Sequence, residues 1–308
     1  MPNAAQAVRS RRSPQPRPGR AFGRRGPRLR ITAALIGVFL AAPEALRPAP
    51  KDPAKPGSSA GIAVATLVYA ENKVEKQTAS EQGWRPLQEG ERLRTGDRVR
   101  VGPDALARFE FAWMSLTAGP DTTLHIPAER ILSAVLDAGR AELRAPGQQI
   151  VKVRTGDAEI RGEGRVVVRR EKTLVAVMAM DGTVRLEAAG KTEILQAGEG
   201  SVVEDGQAPE DVIRLPSGPE GLWPGQDPVY VKKGQSVRLN WSPPGAGHHL
   251  QILSIDSNEP LIARDVGPAP YPITIPWLGT YRWRVATLDE KGLEGRSSGF
   301  GYVCVVDK

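Results

Sequence analysis

In ALARFEF (105–111) Ala107, Phe109 and Phe111 alternate with Arg108 and Glu110, the period of two that a strand shows when one face is buried and the other wet. GTVRLEA (182–188) repeats the pattern, with Val184 and Leu186 inward and Arg185 and Glu187 outward. VRLNW (237–241) sets Val237, Leu239 and Trp241 on one face. YRWRV (281–285) does the same with Tyr281, Trp283 and Val285, which turns Arg282 and Arg284 toward water. Two runs break the alternation. RVVV (165–168) and TLVAVMAM (173–180) are apolar on both faces, as strands in the middle of a covered sheet are. Only AERILSAVL (128–136) has helical spacing.

From 61 to 205 these short strands are separated by Gly, Asp or Pro turns, and the same texture resumes from 229 to 308. The tetrapeptide Arg-Thr-Gly-Asp occurs twice, in LRTGDRVR (93–100) and VRTGDAEIR (153–161). Each copy lies between strand-like segments, where Gly permits a tight backbone and Asp can bond nearby amides. That reads as turn chemistry used twice rather than an adhesive loop. The pattern predicts an all-β fold of two β domains in series, 61–205 and 229–308, joined by a Pro/Gly-rich linker, 206–228.

Charge changes the picture at the N-terminus. The 308-residue chain is formally +7, but residues 1–30 hold nine Arg and no Lys, Asp or Glu. Taking those nine away leaves −2 for residues 31–308, so the globular part offers no field suited to a nucleic-acid backbone. The basic tail reads as disordered. ITAALIGVFLAA (31–42) follows without a charge, and a basic flank before a short apolar run is the layout of an export signal. Twelve apolar residues fall short of the roughly 20 that span a bilayer as a helix. Either a cleaved signal or a membrane anchor over residues 31–46 fits, and both place the rest of the chain on the extracytoplasmic, periplasmic side of the inner membrane; the remaining alternative is a buried core helix behind a disordered arm. Residues 47–60, with four prolines and a Gly-Ser run, read as a semi-rigid spacer.

The ordered set GWRPLQEGERLRTGDRVRVGPDALARFEF, LTAGPDTTLHI, LDAGRAEL, VKVRTGDAEIRGEGRVVV and VMAMDGTVRLEAAGKTEILQAGEGSVV resembles the periplasmic FecR domain over about 145 residues. Here Gly162-Glu163 replaces the family's inner Gly-Thr, and AWMS (112–115) replaces its Asp-Gly-Ser hairpin. The resemblance implies a β domain that binds a partner without catalysis. In founding members of the family such a domain relays a signal from an outer-membrane receptor to an extracytoplasmic sigma factor. Residues 1–30 lack the apolar periodicity of those members' cytoplasmic helix. VRLNWSPP, LQILSID and GTYRWRVATLDEKGLEGRSS resemble a fibronectin type III or immunoglobulin-like sandwich, with Trp241 and Trp283 filling the space between its sheets and Asp289 to Gly295 forming a polar hairpin loop.

Candidate chemistry is sparse. Of three His, His125 stands alone on a strand, and His248 with His249 sits beside the PPGAG turn. Neighbouring strand residues face opposite ways, so the pair is expected at a loop tip rather than on a metal. Carboxylates such as Glu110, Glu142 and Glu187 fall in outward strand positions. No G-x-S-x-G, H-E-x-x-H or G-K-[ST] motif is present. Cys304, the single cysteine, reads as a buried strand thiol. Trp84 is expected as a core or hairpin anchor. Trp223 either pins the two domains or is an exposed contact residue. The expectation is a chain with no catalytic residue, cofactor or metal: an envelope module binding an envelope protein or cell-wall glycan. The other reading is a transmembrane regulator acting on a sigma factor or an outer-membrane receptor. The membrane is met through residues 31–46, and nucleic acid is not a partner.

Overall fold

The computed structural model describes residues 62–128, 133–243 and 247–307, which fall within one compact unit, Lys55–Lys308. The basic tail, the apolar segment 31–46 and the spacer 47–60 lie outside the described residues. Among the described residues there is no helix, and none long and apolar enough to cross a membrane. The protein is all-β.

Fifteen strands build the first sheet: β1 (Ala63–Glu71), β2 (Val74–Gln77), β3 (Arg85–Pro86), β4 (Arg92–Arg94), β5 (Arg98–Val101), β6 (Leu106–Phe111), β7 (Ser115–Ala118), β8 (Thr123–His125), β9 (Ala134–Thr155), β10 (Ala158–Glu171), β11 (Leu174–Asp181), β12 (Thr183–Ala188), β13 (Lys191–Gln196), β14 (Glu199–Glu204) and β15 (Ile213–Arg214). The main path runs β15-β14-β11-β10-β9-β7-β6-β1-β4, with β12 and β13 branching from β10, and β2, β3, β5 and β8 closing back onto β9. Alternation explains the core. Leu67, Phe109, Leu143, Ile160, Val168, Val177 and Leu186, from six different strands, share one buried cluster. Val167, Ala176, Met178 and Val202 point the other way into a second, smaller cluster. The doubly apolar runs are therefore covered on both faces.

The chain then forms a two-sheet sandwich from β16 (Glu220–Trp223), β17 (Val229–Lys232), β18 (Ser236–Ser242), β19 (Gly247–Ser254), β20 (Pro260–Val266), β21 (Tyr271–Thr274), β22 (Gly279–Leu288) and β23 (Gly301–Val306). One sheet has the order β16-β18-β21 and the other β17-β23-β22-β19-β20. Trp241 of the first and Trp283 of the second meet with ring centroids 6.2 Å apart, and the Trp283 indole N–H donates to the Pro224 carbonyl at 3.1 Å. A buried Trp N–H usually finds such a partner; the Trp241 N–H has none among the described residues.

Both Arg-Thr-Gly-Asp copies are turns. Gly96 has φ +88° and Gly156 φ +53°, the left-handed region that glycine enters freely. Asp97 is buried, and its Oδ2 accepts from the Arg94 amide at 2.9 Å. The helical spacing at 128–136 does not hold over its last three residues: 129–132 lie outside the described ones, and Ala134 to Leu136 open β9, paired to β8 through Leu124↔Leu136 and His125↔Val135. Burial of all three apolar residues there outweighs local helical preference. Nor is 206–228 a free linker. Ile213 and Arg214 pair with β14, Leu215 is buried in the smaller cluster, and β16 pairs with β18.

Candidate functional site

Arg140, Glu142 and Arg144 occupy alternate positions of β9, so they share one face while Ala141 and Leu143 enter the core. Arg165 of β10 pairs opposite Arg144 and joins them. Such a row ordinarily lies in water, yet Arg140 and Glu142 are both buried, because the sandwich covers this face. Glu142 is the hub. Its Oε1 accepts from Arg165 Nε at 2.7 Å and Arg144 Nη2 at 3.0 Å, and its Oε2 from Arg140 Nη2 at 3.2 Å. Burial works against the charge, but Arg165, Arg140 and Arg144 hold its carboxyl well below the usual range.

Arg140 ties this row to the sandwich. Its Nε donates to Glu294 Oε2 at 2.9 Å and its Nη2 to Glu294 Oε1 at 3.1 Å, a two-pronged pair between buried side chains. Glu294 lies just after β22 in a loop folded by Asp289, whose Oδ1 accepts from the amides of Lys291 and Leu293 at 2.9 and 2.8 Å. Leu293, one residue earlier, enters the cluster of Val167, Ala176, Met178, Val202 and Leu215. Burial opposes the charge on Glu294, but Arg140 and His249 keep its pKa lowered. Beside this anchor, His249 Nδ1 lies 2.8 Å from Asp265 Oδ1, and Arg169 of β10 pairs with the same carboxylate.

Beyond Arg144 and Arg165 the junction opens into a cleft of about 900 Å³. Phe111, Trp113 and Met114, at the β6–β7 turn, line it from the first sheet; Asn258, Arg284 and Phe300 line it from the sandwich. A slip in the β9–β10 ladder shapes one wall. Gly164 pairs with Ala145 but Glu163 pairs with Ile150, so residues 146–149 bulge outward. Gly164 and Gly182, at φ +74° and +76°, bring the backbone close enough here that a Cβ on Gly182 would lie 2.5 Å from the Glu163 carbonyl oxygen.

Arg284 is the least satisfied cation lining the cleft among the described residues. Its Nε donates to Gln251 Oε1 at 2.8 Å and its guanidinium lies 5.5 Å from the Phe300 ring centre. Neither Nη has an acceptor among the described residues. Burial and the neighbouring Arg165 guanidinium pull its pKa down to about 10, so it is charged at neutral pH. Of the acids here, Asp181 accepts from the Gly182 amide at 2.9 Å, Glu259 sits 3.8 Å from Arg144, and partial desolvation raises the pKa of the largely exposed Glu110. The arrangement can hold an added anion against Arg284 with apolar rings beside it.

Several residues differ from their sequence-based placement. Glu142 is a buried hub, whereas Glu110 and Glu187 are exposed. His248 and His249 do face opposite ways, but on buried strand β19 rather than at a loop tip. His248 meets Trp241 edge-on at 5.0 Å. The hairpin loop 289–295 is a docking element with Leu293 and Glu294 buried. Cys304 is on a strand but half-buried, accepting from the Thr280 hydroxyl at 3.7 Å. Trp84 is half-exposed with Arg100 stacked 4.6 Å from its ring centre, so it caps a surface charge rather than the core. Trp223 is 53% exposed. His125 faces Asp137 at 3.3 Å. Among the described residues no three His, Cys, Asp or Glu converge as metal ligands.

No family model matches the chain, and no curated protein matches it. Two crystal structures of a "putative anti-sigma factor" from Parabacteroides distasonis ATCC 8503, at 1.65 and 2.50 Å resolution, are similar to part of it. Each is 18% identical with a TM-score of 0.32 and covers 38% of this chain. The chain spans 58% of that protein's length.

Proposed function

We propose that this is a non-enzymatic bacterial cell-envelope protein, exported or anchored through residues 31–46, in which a FecR-like module and a fibronectin type III-like module together bind a protein partner. The observation that carries the reading is the cleft at their junction. Its walls come from both modules, and Arg284, whose only acceptor among the described residues is the Gln251 amide, shares it with Phe111, Trp113 and Phe300. Aromatic residues and Arg are the side chains that anchor protein interfaces. The ordered FecR-like motifs and the basic, apolar, Pro-rich series of residues 1–60 support the envelope location.

The test is fractionation with N-terminal sequencing, followed by affinity capture from envelope extracts with wild-type protein and a Trp113→Ala variant. The reading expects an extracytoplasmic protein whose capture of one partner depends on Trp113. Recovery from the cytosol overturns it, as does turnover of a wall oligosaccharide by the purified protein. The same FecR-like motifs favour a second reading, regulation of an extracytoplasmic sigma factor. That reading requires a sigma factor to co-purify and to be lost when residues 1–30 are deleted.

A further inference from the structure

We infer that the junction cleft is a carboxylate-recognition site: Arg284 receives an Asp or Glu side chain of an extended partner segment, and Phe111, Trp113 and Met114 receive an apolar residue next to it. The inference rests on the binding reading above and names the chemistry of its ligand.

The pairing of the junction's charges carries it. Four arginines, Arg140, Arg144, Arg165 and Arg284, meet the buried carboxylates Glu142 and Glu294; of the other acids at the cleft, Glu259 sits 3.8 Å from Arg144 and Asp181 accepts from the Gly182 amide, and among the described residues neither these nor Glu110 pairs with Arg284. Glu294 serves Arg140, and Glu142 serves Arg140, Arg144 and Arg165 together. Arg284 is left with a neutral amide, Gln251, as its only acceptor among the described residues. A half-buried guanidinium presents five donors in a fixed fork, and here only the Nε donor is used. The free edge of that fork matches a carboxylate in two-pronged geometry. Phe300 lies against the guanidiniums of both Arg284 and Arg282, at 5.5 and 4.6 Å, and so restrains the arginine before any ligand arrives. Pre-setting a donor lowers the ordering cost of binding.

Residues 1–61 hold ten Arg and two Lys against Glu44 and Asp52, so that stretch offers few carboxylates to the free Arg284 fork. The fork and the aromatic rings of the cleft select an acidic partner segment.

Two substitutions test this without depending on one fold-sensitive change. Gln251→Glu places a carboxylate on the atom that already accepts from Arg284, so it neutralises the site in place and keeps the packing. Arg284→Gln removes the fork. The probes are two amidated fluorescent peptides, one with Asp beside Phe and one with Asn in its place, titrated by anisotropy onto the full-length protein. Wild type should bind the Asp peptide at least about tenfold more tightly than the Asn peptide, the factor that 1.4 kcal/mol represents. Both variants should abolish the preference while melting as wild type. Equal binding of the two peptides by wild type overturns the inference, as does an intact preference in Gln251→Glu. If wild type shows no preference yet Trp113-dependent capture of an envelope protein persists, the carboxylate site fails and the binding reading stands. If neither is seen, both fail.

Discussion

Glu294→Gln separates a buried charge pair without changing its volume. The wild-type carboxylate accepts two bonds from Arg140, at 2.9 and 3.1 Å, and both groups are shielded from water. Removing one partner of a buried pair costs ~3–5 kcal/mol because the other charge stays desolvated. Arg140 retains Glu142 at 3.2 Å, which places the loss near the low end, about 3 kcal/mol. For a unit of this size that lowers Tm by roughly 6–12 °C. Because the folded pKa of Glu294 is depressed, its contribution is present above the unfolded value near 4.5 and lost as pH falls through the folded one. The variant and the wild type should therefore converge in acid. The assay is urea unfolding followed by Trp fluorescence between pH 7 and pH 3. A companion double change, Arg140→Met with Glu294→Leu, should recover most of the loss by replacing the pair with apolar packing. An unchanged midpoint in Glu294→Gln at pH 7, or a gap that persists in acid, refutes the reasoning.

Three other outcomes follow from the same geometry. Leu293→Ala empties a fully buried position and should cost about 3 kcal/mol, read from the same urea curves, with proteolysis newly cutting inside 289–295. Gly182→Ala forces a Cβ to 2.5 Å from the Glu163 carbonyl at φ +76° and should cost about 2 kcal/mol, while weakening any ligand of the cleft. Burial lowers the pKa of His248. The unfolded chain then takes up its proton first as pH falls below about 6.5, so stability must decline from there downward; in His248→Gln that portion of the decline should vanish.

The fold was legible because alternation fixes which side of each strand is apolar, and Phe109, Val184, Trp241 and Trp283 all point where that rule sends them. The functional junction was not legible for the same reason. Arg140, Glu142 and Arg144 alternate with core residues as any wet strand face does, and nothing within GRAELR records that a second module covers them. Arg284 is masked in the same way inside YRWRV. The doubly apolar TLVAVMAM did carry a signal: its outer side needed a cover, and LEG in the loop 289–295 supplies Leu293. The helical spacing did not carry through 134–136 because Val135 and Leu136 pair with β8, a partner that local sequence does not contain.

The most direct test of the account is hydrogen exchange on the intact protein with and without the Asp peptide. It should show the Leu215 and Gly295 amides, which donate to Gly198 and Thr287 at 2.9 and 2.8 Å, exchanging only with global unfolding, and peptide-induced protection confined to the segments around Trp113, Arg144, Arg165, Arg284 and Phe300. Fast exchange at those two amides, or protection that appears elsewhere, contradicts it.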